Sequence, residues 1–221
     1  MKDLKTFFLN SENISKIPKW ANHSLIEQEY LDPGIYLYRE ICAYSFEEKF
    51  SNEFIELCYI ILKAWNMNTR GAKLIDFKTF KHSIIKNKNF IKGLSEIKIE
   101  DSTINISELE KIRQLFYNMT LVETKAGLVT FSKLIHFFLP ELLMPIDRRY
   151  TLNFFFGHGN IPQEINKQFD LYCKILFQFN SFAHSYDFNK IKVDRWNWNK
   201  YKSKSIDNLI IGYMRDNNKV S

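Results

Sequence analysis

Gly127-Leu128-Val129-Thr130-Phe131-Ser132-Lys133-Leu134-Ile135-His136-Phe137-Phe138-Leu139-Pro140 reads as one helix over 128–138. A glycine stands before it and a proline, which cannot continue a helix, stops it. Lys133 is the only Lys, Arg, Asp or Glu between Lys125 and Glu141. On a helix it shares a stripe with Thr130 and His136. The chain then runs through Glu141-Leu142-Leu143-Met144-Pro145-Ile146 to Asp147-Arg148-Arg149-Tyr150. Asp is a favoured cap, so Asp147 opens a further helix to about Phe156, at the edge of apolar surface.

The same periodicity extends in both directions. Asp32-Pro33-Gly34 starts a helix over 35–44. Ser45-Phe46-Glu47-Glu48 has the capping-box pattern. Behind it Phe46, Phe50, Phe54, Leu57, Ile61 and Trp65 recur at helical spacing up to the polar stretch 66–70. Ala72, Ile75, Phe80 and Ile84 mark another helix, and Ser107–Glu110 caps one carrying Leu109, Ile112, Phe116 and Met119. Pro162 leads into a long helix with Ile165, Phe169, Tyr172, Leu176 and Phe179. Ser205 caps the last, to about Arg215. Eight or nine helices result. Only 97–99 and 104–106 alternate as a strand pair would.

Composition agrees with helices. The 221 residues hold 7 Gly and 5 Pro, too few for a turn-rich β-sandwich. Hydrophobic residues make up 45%, the globular range, which excludes a disordered chain. The formal charge is +6, which points to an anionic partner and equally matches an AT-rich coding bias. Cys42, Cys58 and Cys173 form no Cys-x-x-Cys pair, and an odd count argues against a disulfide framework. Met1-Lys2-Asp3-Leu4-Lys5 has no signal-peptide apolar run and no stretch is long enough to span a bilayer. A cytoplasmic location without membrane contact is therefore expected. No triphosphate loop, nucleophile elbow or metal-ligand spacing occurs, so no cofactor or metal is expected.

Three features bear on chemistry. Lys133, an amine among apolar neighbours, is a candidate nucleophile, or a solvated lysine whose stem covers apolar surface. Asp147 is a candidate catalytic carboxylate, or only a helix cap. The stretch 190–204 has six basic residues against one Asp, interleaved with Trp196, Trp198 and Tyr201. It reads as a base-stacking strip or as core.

The segment 121–156 resembles the helix-hairpin-helix superfamily of DNA glycosylases, which includes 8-oxoguanine glycosylase and endonuclease III. There a hairpin ending in lysine leads into a helix, then an apolar run, then Pro-x-Asp. Ser132-Lys133 matches the hairpin end, and Pro145-Ile146-Asp147 matches the aspartate signature. Val129-Thr130-Phe131 stands where the family has Gly-x-Gly, and the iron–sulfur cysteines of one branch are missing.

The resemblance implies an all-α fold of two helical subdomains, 46–140 and 1–45 with 141–221, around a DNA-binding cleft. It implies an enzyme that flips and excises a damaged or modified base, possible strand cleavage included, in repair or phage defence. Asp147 would stabilise the cationic sugar and Lys133 would attack its anomeric carbon. DNA contacts would come from Asn66, Met67, Asn68 and Arg70, with Met67 as wedge, and from Thr130, Ser132, His136, Arg148 and Arg149. Trp196 and Trp198 would stack on bases while Lys200 and Lys202 meet phosphates. The partner would be duplex DNA, bound by a monomer. A non-catalytic DNA-binding module and a protein–protein adaptor remain the alternatives.

Overall fold

The computed structural model describes residues 1–26, 33–67, 73–101, 104–193 and 196–217, with the side chains of 24–26 excepted. Among them are eleven α-helices and no named strand. An isolated antiparallel bridge joins Leu74 to Val122, and 97–99 instead sends the Ile99 N–H to Glu141 O at 2.8 Å. The helices are α1 (Leu4–Phe8), α2 (Ile17–Ile26), α3 (Pro33–Ile41), α4 (Asn52–Ala64), α5 (Phe77–Lys86) and α6 (Lys88–Lys92). They continue with α7 (Ile106–Asn118), α8 (Leu128–Phe138), α9 (Asn153–Phe156), α10 (Ile165–Ser185) and α11 (Lys202–Asp216). α1, α2 and α6 have no counterpart in the sequence reading, while α9 is the end of the helix expected from Asp147, whose first turn, Arg148–Leu152, is π-helical.

Every residue of α8 is buried. Its apolar residues fall on every face, which only a surrounded helix can hide, and its four polar residues are buried with them. Its end is closed from outside: Lys49, itself buried, donates from Nζ to Phe138 O at 3.1 Å. Burial pushes the Lys49 amine down to about 8.

Several starts differ from the sequence reading: α5 begins at Phe77, capped by Asp76, so Ile75 lies before it, and α10 begins at Ile165 rather than at Pro162. Ser45 and Glu48 do bond to each other, but they close a single 3-10 turn at Glu47–Phe50. Ser51 then caps α4, accepting the Phe54 N–H. The capping box of α7 lies two residues earlier, at Asn105 and Glu108. α11 begins at Lys202, so Ser205 sits inside it and bonds Asn199 O.

α10 is the spine. Its 21 residues span roughly 30 Å at 1.5 Å per residue. It packs on α7 and α8 along one part and on α1 and α11 along another. α3 packs on α4, and α11 packs mainly on α2. One continuous buried cluster therefore crosses the expected subdomain limits at 45/46 and 140/141. Among the described residues no helix is long and apolar enough to cross a membrane.

Candidate functional site

The turn after α8 brings Asp147 back to Lys133. Leu139 leaves the helix before Pro140, as the residue before a proline must. The chain then returns along α8, where two hydroxyls catch it. Ser132 Oγ accepts the Ile146 N–H at 3.0 Å, and Thr151 Oγ1 accepts the Asp147 N–H at 3.1 Å. The two carboxylate oxygens of Asp147 then divide their work. Oδ1 caps the next turn, accepting the Arg149 and Tyr150 N–H groups at 2.7 and 3.2 Å. Oδ2 faces the Lys133 ammonium at 3.4 Å. The Lys133 side chain is 9% exposed and that of Asp147 31%, so the pair is reached from one side.

That side is a cavity of about 220 Å³ between the end of α4, α8, the 145–150 segment and α11. Trp65 forms one wall, with Lys133 Nζ 5.4 Å from its ring centre. Trp198 meets Trp65 edge to face, the ring centres 6.4 Å apart. α11 contributes Lys204, Asp207, Ile211 and Arg215, a row at helical spacing on one face. Tyr150 lies under the Arg215 guanidinium, 5.3 Å from the ring centre.

A second lysine–aspartate pair lies deeper. Lys204 Nζ donates to Asp207 Oδ2 at 2.6 Å, each side chain being 4% exposed. Lys204 also sits 4.2 Å from the Trp198 ring centre. Burial pushes the Asp207 carboxyl up; Lys204 opposes that and the nearby Asp147 adds to it. Thr151 donates its hydroxyl hydrogen to Asp207 Oδ1 at 3.4 Å. Two acidic and three basic side chains thus line one small cavity.

The other expected DNA contacts divide into three groups. Asn66, exposed and in left-handed backbone, lines the cavity; Arg148 and Arg149 are exposed but do not line it, and Arg148 Nε donates to Gly159 O at 2.8 Å. Asn68 and Arg70 lie outside the described residues. Thr130, Ser132 and His136 are each fully buried and cannot touch a strand at the surface. Their helix has no solvent face, and each polar group serves the fold. Thr130 donates to Met67 Sδ at 3.7 Å, which leaves Met67 half-buried against the core rather than extended as a wedge. Ser132 donates to Val129 O while it holds Ile146. His136 Nδ1 meets Leu143 O at 2.7 Å, and a carbonyl only accepts, so Nδ1 carries the proton. Nε2 accepts the Tyr38 hydroxyl at 2.8 Å.

The basic strip is likewise tied inward. Lys200 donates to Cys42 O at 2.8 Å and Lys202 pairs with Glu100 at 2.9 Å. Trp196 is half-buried with Arg39 over its ring at 5.1 Å, and Trp198 is buried. Trp198 thus lines the cavity rather than a surface strip, while Lys200 stays exposed.

Sequence reasoning found Lys133 and Asp147 but missed Lys204, Asp207 and Thr151. The available signal was the row 204, 207, 211, 215, which puts three charges on one helix face. Among the described residues no group of three or more His, Cys, Asp or Glu gathers as metal ligands would. Comparisons of this chain with protein-family models, with curated proteins and with solved structures give no match.

Proposed function

We propose that this chain is a DNA N-glycosylase that draws one damaged or modified base into the cavity beside Lys133 and Asp147. The observation that carries this reading is the pairing itself: an amine and a carboxylate 3.4 Å apart, opening together on an aromatic-walled cavity. Its volume of about 220 Å³ suits one extruded base. Pockets for larger ligands run to roughly 300–1,000 Å³. Arg149, exposed two residues after Asp147, suits a flanking phosphate.

The chemistry follows from the two groups. Asp147 takes a proton from the Lys133 ammonium and leaves a neutral amine. The nitrogen lone pair forms a bond to the sugar C1′, and the C1′–base bond breaks with its electrons leaving on the base. The proton passes from Asp147 to the departing base. The second amine proton passes to the ring oxygen as the C1′–O4′ bond breaks, giving a protonated imine; loss of a C2′ proton to water then expels the 3′ phosphate and cleaves the strand. With its proton passed to the base, Asp147 is again a carboxylate and offsets the positive charge of the iminium that follows.

The test uses duplexes carrying oxidised, alkylated or deaminated bases, and an abasic duplex with borohydride. The wild type is expected to release a base and to be trapped covalently on the abasic duplex. Lys133→Gln is expected to abolish trapping. Asp147→Asn is expected to bind DNA normally and to release base at least about 100-fold more slowly. A wild type that neither releases nor traps overturns the proposal. The satisfied ion pair and the capping role of Asp147 also favour a silent DNA-binding module, and DNA binding without release or trapping selects that reading.

A further inference from the structure

The buried pair Lys204–Asp207 has no part in the scheme above, yet burying two charges is costly and calls for a reason. Its bonds lead toward Asp147. Lys204 holds Asp207 Oδ2, Asp207 Oδ1 takes the Thr151 hydroxyl hydrogen, and Thr151 Oγ1 takes the Asp147 N–H. A hydroxyl has one hydrogen and two lone pairs. With its hydrogen directed to Asp207, Thr151 is left with only lone pairs to offer the Asp147 backbone. Turned the other way, the hydroxyl would meet that N–H with its own hydrogen and repel it.

We propose that Thr151, oriented by the Lys204–Asp207 pair, is the positioning residue that keeps Asp147 aimed at Lys133. The inference rests on the reading of this cavity as a glycosylase site, and it concerns how that site is held. Thr151 touches no reacting atom. It fixes the backbone nitrogen of Asp147, while the Arg149 and Tyr150 N–H groups fix Oδ1. Together these leave Oδ2 a single direction, toward Lys133. Ser132 does the same for Ile146 one residue earlier. The charged and titratable groups around the relay are Lys133 on α8, Asp147 and Tyr150 on the returning segment, and Lys204, Asp207 and Arg215 on α11. A displaced carboxylate would lose its hold on the amine, which then gains freedom to react with reagents in solution.

Thr151→Val keeps the shape and removes the hydroxyl; Thr151→Ser keeps the hydroxyl and removes a methyl from a fully buried position. Two readouts are taken on the full chain. One is the acylation rate of Lys133 by acetic anhydride, followed by peptide mass spectrometry. The other is single-turnover base release. Thr151→Val is expected to acylate Lys133 several-fold faster and to release base about tenfold more slowly, with DNA affinity unchanged. Thr151→Ser is expected to match the wild type in both, although it melts at lower temperature.

A purely structural Thr151 gives the opposite order, with valine near wild type and serine impaired; that order, or an unmoved Lys133 rate in Thr151→Val, overturns the inference. The acylation readout needs no substrate. If the wild type releases no base while the Lys133 rate still rises, the glycosylase reading fails and the positioning role stands. If base is released and the Lys133 rate is unmoved, the positioning role fails alone.

Discussion

At His136 the cost of burying a titratable ring sets a pH limit on the fold. Burial is the main cause that pushes its pKa from 6.5 to about 3; Lys204 and Lys49 add to it and the Leu143 carbonyl opposes it. Between these two values the unfolded chain binds a proton that the folded chain refuses. Stability therefore rises with pH through this window and is lost as pH falls from about 6.5 toward 3. The loss is about 1.4 kcal/mol per pH unit. His136→Gln carries no titrating ring. It is expected to be less stable than wild type at pH 7.5, and to lose less of its stability between pH 7.5 and 5. Denaturant midpoints at those two pH values measure both slopes, and equal slopes would remove His136 as the cause. The same residue shows what sequence could not disclose. Its stripe with Lys133 was legible, but a stripe on a helix buried all round is not a surface. Lys133 and Asp147 were legible because one helix and one turn separate them. The row that holds Lys204 and Asp207 was legible too, but their burial was not, since it depends on Trp65 and Trp198 arriving from other elements.

Among the elements, α8 was the easiest to place, because Gly127 and Pro140 punctuate it on both sides. The start of α4 was misplaced because two serines six residues apart both suit a cap, and only the packed chain decides between a turn and a helix. The pairing of α2 with α11 left no sequence signature beyond Gly212. That glycine lets the two backbones touch: a Cβ built on it would lie 1.9 Å from Trp20 O and 2.7 Å from Trp20 C. Backbone atoms cannot rotate away, so the helices would have to separate. Trp20 Nε1 donates to Asp216 Oδ2 at 2.9 Å on the last turn of α11, and that bond would be strained as well. Gly212→Ala is expected to cost about 3 kcal/mol, although alanine is the better helix former. For a chain of this size that is a fall of about 6–12 °C in melting temperature. Thermal unfolding followed by circular dichroism checks it, and an unchanged or raised melting temperature would show that the contact yields.

For the whole molecule, the question is whether the cavity lies between two bodies or within one. Its walls come from both expected subdomains: Trp65, Asn66 and Lys133 from 46–140, and Asp147, Tyr150 and the α11 row from 141–221. A cleft between two independent bodies would open at little cost. The buried core argues for one body, because it runs through both segments without a break. Near the 45/46 limit Tyr38 stacks on Trp65, and α10 packs on α7 and α8 as well as on α1 and α11. Neither segment can unfold without exposing apolar surface of the other, which is the physical condition for cooperativity. Urea unfolding is therefore expected to give one transition. Far-ultraviolet circular dichroism reports the helices, and tryptophan fluorescence reports Trp65 and Trp198 at the cavity, Trp20 at α2 and the half-buried Trp196. The two midpoints should coincide. A fluorescence change that precedes the loss of helix would instead show the walls parting as separate units. Access to the cavity would then be a domain motion rather than a local adjustment around Asn66 and Tyr150.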